Sequence, residues 1–497
     1  MSEFQSTTSG LKPSADRRIA VVGGGLSGLA AAHRLVELGS SLASSPEISL
    51  FEASPQIGGV MGTKRIGDYV VETGADSFIT NKPWAVDLCR RLGIADRLIP
   101  TDARYRRSLV LRNGKPVPVP EGFQLLSPAK IWPVLRSPLF SLRGKLRLGM
   151  EYFLPRRKSD EDESLANFVR RRFGQEALER LVQPLVGGIY TSDPEKLSLK
   201  ATLPRFLEME REYRSLIRAS RRKSLDQKKL EDENASGARY GLFVTPRNGI
   251  SELLNALADA IREKVDVVLG TSVRSLHRES DGTWQLKLRD AEPKLFDAVI
   301  LAIPAYRAAE LLSDTDGELS QSLSEIEYAS SAIVVTGHKL SDVEHPLDAF
   351  GLVIPAIERR RILAVSFTSR KFPNRAPEGC VQLRTFIGGA MQPEELDRTD
   401  EELQDVVLGE LRELLGVRGK PDFVHVARWT KAMPQYHLGH LERVAQIERR
   451  LQQHPGLALA GNAYRGVGIP DCIHSGEQAA EVVALGVSRQ GVKPGSG

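Results

Sequence analysis

The chain's first apolar run leads directly into three consecutive glycines, and this feature most constrains the fold. Residues 19–22 have the composition of a buried strand, and Gly23-x-Gly25-x-x-Gly28 separates them from apolar positions with helical spacing. Glycines at these places allow a tight turn, the close approach of a pyrophosphate and close helix–strand packing. The amino end of a helix also attracts anionic groups. The motif predicts a dinucleotide-binding strand–turn–helix unit.

An acidic residue and further glycines define the kind of dinucleotide. Glu52 ends the second predicted strand, about 20 residues beyond the glycines, where a carboxylate accepts hydrogen bonds from ribose hydroxyls. Its charge disfavours a 2′-phosphate. Gly58-Gly59 and the segment Gly74–Ser77 follow, and a nicotinamide dinucleotide does not need them. They indicate a cofactor that extends beyond the pyrophosphate.

The carboxyl-terminal part repeats the strand–turn–helix pattern. Residues 457–460 form an apolar run, Gly461, Gly466 and Gly468 follow, and Pro470 is suited to the first turn of a helix. Beside a flavin ring, the amino end of that helix would stabilise the negative charge of the reduced form. The two ends of the chain are therefore predicted to form one flavin-binding domain.

Composition limits the other options. A chain of 497 residues should form roughly two to four domains. The net charge of +5 is too small to indicate nucleic-acid binding. The three cysteines, Cys89, Cys380 and Cys472, have no metal spacing and suit a reducing compartment. Nothing completes a metal site around His437 and His440. No apolar run reaches the roughly 20 residues of a membrane span.

The predicted fold class is α/β, with a Rossmann-like FAD-binding domain interrupted by a mixed β-sheet substrate domain and a helical subdomain. The helical stretch is basic with interleaved apolar residues, a pattern typical of a solvated helical unit or of a surface for a membrane or an anionic partner. The predicted boundaries are a disordered leader at 1–16, the FAD-binding domain at 17–83, 242–305 and 445–487, the helical subdomain at 84–215, a charged loop at 216–241 and the substrate domain at 306–444.

Several motifs resemble one family. The two ends resemble the flavin amine oxidase-like superfamily, and the tail from Gly461 to Ala480 is similar to that of protoporphyrinogen/coproporphyrinogen oxidases. The runs 74–78, 184–190 and 434–440 resemble the same family. The resemblance covers roughly residues 18–485 and implies non-covalent FAD. The implied FAD contacts are Gly23, Gly24, Gly25, Leu26, Ser27, Gly28, Glu52, Ala53, Gly58, Gly59, Gly74, Ala75, Asp76, Ser77, Val273, Trp429, Gly461, Val467, Gly468 and Ile469.

The resemblance also implies a substrate site. Lys82 matches a basic position near the substrate carboxylates, although an isolated lysine is often only a solvated surface residue. Phe350, Val353 and Phe386 match apolar positions beside a flat macrocycle, and they would equally suit a plain core. Gly188 would leave room for the ring. The implied activity is oxygen-dependent oxidation of a porphyrinogen to a porphyrin in haem synthesis, with coproporphyrinogen III preferred over protoporphyrinogen IX and with no catalytic acid or base assigned.

Other functions stay open at this stage. An amine or polyene oxidase of the same superfamily is one alternative, although Ile469-Pro470 stands where an amine oxidase would place a second aromatic residue. A non-catalytic binding protein on this fold and a nicotinamide-dependent dehydrogenase are the others. The implied partners are porphyrinogen, dioxygen and a later enzyme of the haem pathway. A cytoplasmic location is expected, with peripheral membrane contact and oligomeric state left open.

Overall fold

A five-stranded parallel sheet brings the two ends of the chain together. The computed structural model describes residues 17–40, 45–120, 123–124, 127–128, 131–222 and 243–485. In spatial order, the sheet consists of β12 (Val265–Val268), β2 (Glu47–Phe51), β1 (Arg18–Val22), β16 (Ala298–Leu301) and β22 (Leu457–Leu459). These strands are short and mostly apolar, as expected for a parallel sheet covered on both faces. The strands next to both predicted glycine turns therefore lie in one sheet, on either side of β16.

Helices cover one face of this sheet, and a small β-layer covers the other. The first face packs against α1 (Leu26–Gly39), α10 (Ser251–Ile261) and α16 (Ile469–Leu485) in one apolar core. The second face packs against an antiparallel sheet of β13 (Val273–Arg278), β14 (Trp284–Leu288) and β15 (Lys294–Phe296) and against α11 (Ala305–Leu312), α12 (Gly317–Ser324) and α15 (His440–Leu451). This doubly covered sheet confirms the predicted Rossmann-like fold.

A seven-stranded mixed sheet forms the second large layer. Its spatial order is β21 (Phe423–Pro434), β17 (Tyr328–Lys339), β20 (Cys380–Gly388), β19 (Ala364–Phe367), β18 (Gly351–Val353), β7 (Leu109–Arg112) and β8 (Lys115–Pro118). One face packs on α14 (Asp400–Leu415), whose Thr399 forms a capping box with Glu402. The strands β7 and β8 come from the stretch that the sequence reading took as mainly helical. Placing residues 109–118 in the helical subdomain was wrong, because the parallel partner of β7 is β18, which follows much later in the chain. The rest of the stretch is mostly helical.

A helical region lies between β8 and the second half of the dinucleotide-binding unit. Its helices are α3 (Ile131–Arg136), α4 (Leu142–Met150), α5 (Leu165–Arg172), α6 (Gln175–Ala177), α7 (Gln183–Tyr190), α8 (Leu199–Thr202) and α9 (Pro204–Tyr213), with a π-helical turn at Leu178–Val182. They share one apolar core that includes Phe168, Leu181 and Tyr436. A fully buried ion pair, Glu151 with Arg172, crosses this region.

Smaller elements complete the described chain. They are β3 (Thr63–Ile66), β4 (Tyr69–Glu72), β5 (Phe78–Ile79), β6 (Leu98–Pro100), β9 (Phe123–Gln124), β10 (Ser127–Pro128), β11 (Phe243–Pro246), α2 (Trp84–Arg91), α13 (Thr368–Lys371) and short 3-10 turns at Ala95–Arg97, Ala103–Tyr105, Leu340–Asp342, Ala356–Glu358 and Pro393–Asp397. The predicted leader at 1–16 and residues 223–241 of the predicted charged loop lie outside the described residues. Residues 216–222 were predicted as part of that loop, and they are helical instead. The exact domain boundaries stay a prediction.

Candidate flavin site

The amino-terminal turn connects β1 to α1 at the carboxyl edge of the parallel sheet. Gly23 has a φ of +107°, and its N–H donates to the Phe51 carbonyl at 2.8 Å. A Cβ added to Gly28 would overlap the Gly23 carbonyl oxygen. The helix can therefore approach the turn this closely only with glycine at position 28. The amino end of α1 is left beside backbone atoms, an arrangement that suits an anionic phosphate group.

Glu52 follows β2 and lies against this turn. Its Oε2 accepts a hydrogen bond from the Gly24 N–H at 2.6 Å, and its Oε1 accepts one from the Ser54 N–H at 2.8 Å. These two bonds fix the carboxylate at the carboxyl edge of the sheet. Each oxygen keeps a further lone pair for a ribose hydroxyl. The position agrees with the role expected for Glu52, and the ribose contact itself stays a prediction.

A second glycine pair lies directly on the first turn. The Gly58 N–H donates to the Gly24 carbonyl at 2.9 Å, and Gly58 pairs with Gly25 in an isolated parallel bridge. A Cβ on Gly59 would lie 3.3 Å from the Gly25 Cα. The two segments therefore approach each other through backbone alone. A surface without side chains lets a ligand approach the protein backbone closely.

The carboxyl-terminal turn is brought to the same edge of the sheet. It connects β22 to α16, and β22 is parallel to the strand that neighbours β1. The Ser27 hydroxyl on α1 donates to the Cys472 carbonyl on α16 at 2.9 Å. A Cβ on Gly476 would overlap the Ser27 carbonyl oxygen, so α1 and α16 touch at backbone distance. The amino ends of both helices therefore lie at one end of the sheet, where dinucleotides bind in such folds.

The segment Gly74–Ser77 connects this edge to the seven-stranded sheet. A Cβ on Gly74 would overlap the Val60 carbonyl oxygen. The Asp76 carboxylate lies 3.1 Å from Lys371 Nζ and 3.3 Å from Arg384 Nη1. Burial alone would raise the pKa of Asp76, but the two cations outweigh this effect and lower it below its usual range. Asp76 is therefore a fixed anion that ties the segment to the second sheet.

Trp429 reaches the same segment from β21. Its indole N–H donates to the Thr73 carbonyl at 2.7 Å. Trp429 and Phe386 both pack against a small apolar cluster that includes Tyr69 and Ile333. The predicted cofactor residue Trp429 and the predicted substrate residue Phe386 thus lie on one face of the second sheet.

Two other predicted substrate residues, Gly188 on α7 and Val353 on β18, lie close together. A Cβ on Gly188 would lie 3.9 Å from Val353 Cγ1, which is ordinary van der Waals distance. Val353 and Val467, from the carboxyl-terminal turn, pack against the same apolar core of the helical region. The structure therefore places a predicted substrate residue and a residue of the predicted flavin turn against one apolar core. Phe350 lies just before β18, and its N–H donates to the Arg107 carbonyl at 2.8 Å.

Lys82 lies at the amino end of α16 rather than on an isolated surface. Its Nζ is 2.6 Å from Asp471 Oδ1, and 39% of its side chain is exposed. A substrate carboxylate at Lys82 would therefore compete with Asp471. No local sequence pattern predicts this pair, because the two residues are separated by most of the chain.

The remaining predicted cofactor residues surround this edge. Ala53 and Ala75 are exposed, Val273 is partly buried at the start of β13, and Leu26 and Ile469 are buried at the first residues of their helices. A Cβ on Gly461 would meet nothing within 4 Å, so the carboxyl-terminal turn has open space beside it. The backbone-lined edge, the two helix ends and the fixed carboxylate fit a flavin dinucleotide.

The sequence reading assigned no role to several residues of this region. Glu72, Lys371 and Arg384 form a buried charged network with Asp76 and Arg375. Burial raises the pKa of Glu72 to about 7. Tyr436 and His440 hold the carboxyl-terminal turn. The sequence signal that could identify such residues is a charged or polar residue inside an otherwise apolar run, as at Arg384.

The chain matches known proteins over most of its length. Residues 26–484 match the family of flavin containing amine oxidoreductases. A coproporphyrinogen III oxidase of Bacillus subtilis (strain 168) is 34% identical, with 93% of this chain and 97% of that protein covered. The mitochondrial protoporphyrinogen oxidase of Nicotiana tabacum is 28% identical, with 95% of each chain covered. A provisionally named protoporphyrinogen oxidase from Exiguobacterium sp. 255-15 superposes with a TM-score of 0.83 at 27% identity, over 96% of this chain and 100% of that one.

Proposed function

This chain belongs to the flavin-containing amine oxidoreductases and, within them, to the coproporphyrinogen III and protoporphyrinogen oxidases, and we propose that it oxidises a porphyrinogen to a porphyrin in haem biosynthesis with dioxygen as acceptor. The observation that carries the proposal is the meeting of both glycine turns at one sheet edge, with Val467 of one turn packed against the same apolar core as Val353, the neighbour of Gly188. The apolar faces of the tetrapyrrole ring suit such a surface.

The proposed cofactor is FAD, bound without a covalent bond. A bound flavin supplies a two-electron acceptor that dioxygen can reoxidise. The N–H groups at the amino end of α1 would hold the pyrophosphate, and Glu52 would hold a ribose. The backbone surfaces of Gly25, Gly58 and Gly59 would admit the extended part of the dinucleotide. The amino end of α16 would face the flavin ring and favour its negative charge after reduction.

The protein's part in the reaction is to position the substrate and exclude water. Gly188, which has no side chain, lies beside Val353 on one side, and Phe386 with Trp429 provides aromatic surface on the second sheet. The substrate is a saturated-bridge tetrapyrrole, and its oxidation ends in an aromatic ring. Since aromaticity drives the reaction, a strong acid or base is not required, and none is assigned. Lys82 would contact a propionate and exchange its partner Asp471 for the substrate.

Coproporphyrinogen III is the proposed substrate, because bacterial relatives named for its oxidation are 31–34% identical to this chain. The test compares initial rates with coproporphyrinogen III and protoporphyrinogen IX by porphyrin fluorescence, with hydrogen peroxide measured in parallel. We expect coproporphyrinogen III to give the higher kcat/KM. A strong preference for protoporphyrinogen IX would contradict the substrate assignment. Peroxide release with amines, and no reaction with either porphyrinogen, would contradict the whole proposal.

We further propose peripheral contact with an anionic membrane through the helical region. Within the described chain, Trp132, Leu135, Leu142, Leu146, Met150 and Phe153 are exposed by 42–80%, and we name them the exposed apolar face. Arg136 and Arg143 are exposed beside them. Apolar side chains flanked by cations are typical of helices that lie in a membrane interface. No helix in the described ranges is long and apolar enough to cross a membrane.

The proposed location is the cytoplasm, with the product passed to a later enzyme of the haem pathway. Cys89, Cys380 and Cys472 are free thiols, as is usual in a reducing compartment. Burial raises the pKa of both Cys89 and Cys472 to about 12, so these thiols are protonated and poorly reactive.

A further inference from the structure

Two stacked aromatic rings lie directly behind the carboxyl-terminal turn. Tyr436 and His440 follow β21, and their exposed fractions are 2% and 1%. The ring centroids are 3.9 Å apart with an interplanar angle of 13°. Burial lowers the pKa of His440 to about 4, so the imidazole is neutral at pH 7. The stack therefore adds no charge beside the turn.

Both rings bond the backbone of the turn. The Tyr436 hydroxyl donates to the Asn462 carbonyl at 2.6 Å and accepts from the Gly466 N–H at 2.8 Å. His440 Nε2 lies 2.9 Å from the Tyr464 carbonyl, which can only accept, so the ring carries its proton on Nε2. One hydroxyl thus bridges two positions of the turn, and the imidazole fixes a third.

The turn needs such support because its own backbone is irregular. Gly461 has a φ of +131° and Gly466 a φ of +154°, values that side-chain-bearing residues rarely adopt. Backbone groups of a buried turn must find partners outside a helix or strand ladder. The pair of rings supplies these partners immediately before α16 begins.

Tyr436 also connects the turn to the wall of the substrate site. Its side chain belongs to the apolar core of the helical region, against which Val353 and Val467 pack. Its carbonyl accepts a hydrogen bond from the Ser198 N–H at 2.8 Å. A single residue therefore bonds the flavin-facing turn and packs with the apolar surface proposed for the substrate.

We propose that Tyr436 and His440 are positioning residues that fix the turn at 461–468 and the amino end of α16 against the flavin, and so set flavin affinity and reduction potential. This inference rests on the flavin-binding part of the proposed function and not on the identity of the substrate. The helix dipole acts on the flavin only over a short distance. A shift of the turn changes the distance between this helix end and the flavin.

The test compares Tyr436→Phe with Tyr328→Phe. Tyr328 is a matched control, because its hydroxyl likewise accepts from a backbone N–H, that of Ala305, at 2.8 Å in a different core. The apoproteins are titrated with FAD by fluorescence, and the midpoint potential of the bound flavin is measured with redox dyes. Circular dichroism gives the thermal unfolding midpoint.

For Tyr436→Phe we expect FAD binding about tenfold weaker, together with a changed midpoint potential. Tyr328→Phe should lower the unfolding midpoint and leave both flavin properties at the wild-type values. Unchanged flavin affinity and potential in Tyr436→Phe would overturn the inference. If Tyr436→Phe does not fold, His440→Leu, which loses the bond to the Tyr464 carbonyl, serves in its place with the same two outcomes. A wild-type protein that binds no FAD would instead contradict the proposed function.

Discussion

The flavin edge, the end of the parallel sheet where the two glycine turns meet, and the exposed apolar face are built in opposite ways. At the flavin edge, side chains are absent and backbones meet directly, as where Gly28 abuts the Gly23 carbonyl. On the exposed apolar face, large side chains such as Leu142 and Phe153 project with 80% and 74% exposure. The first surface tolerates no added atom. The second can lose atoms without loss of packing, and this contrast makes the two regions separable by mutation.

The largest effect is expected from Gly28→Ala. The new methyl group would overlap the Gly23 carbonyl oxygen, so α1 must shift away from the turn. We expect FAD binding to weaken by at least about a hundredfold, since both the packing and the helix end are displaced. Flavin content after purification and FAD titration measure this loss.

The matched control is Gly149→Ala on α4. A Cβ there would meet nothing within 4 Å, and alanine favours a helix over glycine by about 1 kcal/mol. This variant should keep wild-type flavin content and equal or exceed wild-type stability. Equal flavin content in the two alanine variants would remove the contrast between the regions.

The next variant, Glu151→Gln in the support of the exposed apolar face, should change stability rather than flavin binding. The Glu151 carboxylate is fully buried and accepts hydrogen bonds from Arg172, from the Ser215 hydroxyl and from the Leu216 N–H at 2.9 Å. Loss of its charge removes the ion pair with Arg172 and leaves Glu210, at 3.5 Å, to balance the buried guanidinium, at a cost of about 3 kcal/mol in unfolding free energy. Urea unfolding followed by circular dichroism measures this change.

The control for that variant is Asp160→Asn, which removes an ion pair with Arg211 in which both side chains are mostly exposed. Its expected cost is below about 1 kcal/mol. If Glu151→Gln were no more destabilising than Asp160→Asn, the exposed apolar face would not depend on a buried ionic support.

The pH dependence of stability should report on Glu72, beside the flavin edge. Burial raises the pKa of Glu72 in the folded protein to about 7, above its ordinary value of 4.5. The folded state favours the neutral form of Glu72. The protonated carboxyl therefore contributes its full stability to the fold below pH 4.5, and this contribution is lost as the pH rises to about 7. Glu72→Gln should therefore be more stable than the wild type above pH 7, by roughly 2–3 kcal/mol, and equal to it near pH 4.

Urea midpoints measured across this pH range test the Glu72 prediction. Glu263→Gln, at an exposed position, should keep the wild-type pH profile. A Glu72→Gln profile parallel to that of the wild type would show that Glu72 is ionised throughout.

The smallest effect on stability is expected on the exposed apolar face. Leu142→Ser combined with Leu146→Ser removes side chains that are 80% and 72% exposed, so unfolding free energy should change by less than about 0.5 kcal/mol. Binding to anionic phospholipid vesicles should weaken more than tenfold, since two leucines leave the interface. Vesicle co-sedimentation measures the binding. Leu148→Ser, at a buried position of the same helix, should instead destabilise the fold. Unchanged vesicle binding in the double variant would contradict the membrane proposal.

The sequence was informative where local sterics decide the structure. Gly23, Gly28 and Glu52 have roles that depend on neighbours within one strand–turn–helix unit, and the structure places them as expected. It was less informative where partners are distant in the chain. The pairing of β7 with β18, and of Lys82 with Asp471, depends on contacts that no local pattern encodes.

The sequence also did not predict which apolar side chains are exposed. Leu139 and Leu148 are buried, whereas Leu142 and Leu146 are exposed, although all four share one basic and apolar stretch. Hydrophobic residues do not report which face of a helix finds a partner. Likewise, the motif 434–440 does not show that Tyr436 and His440 bond the backbone of a turn that lies later in the chain.

The most direct test of the account is anaerobic mixing of the purified flavoprotein with coproporphyrinogen III in a stopped-flow spectrometer. We expect the flavin absorbance to bleach as the substrate gives up its first two electrons. Admitting dioxygen should then restore the flavin colour, release hydrogen peroxide and let porphyrin fluorescence rise as the remaining four electrons are removed. Bound flavin that keeps its colour in the presence of either porphyrinogen would contradict it.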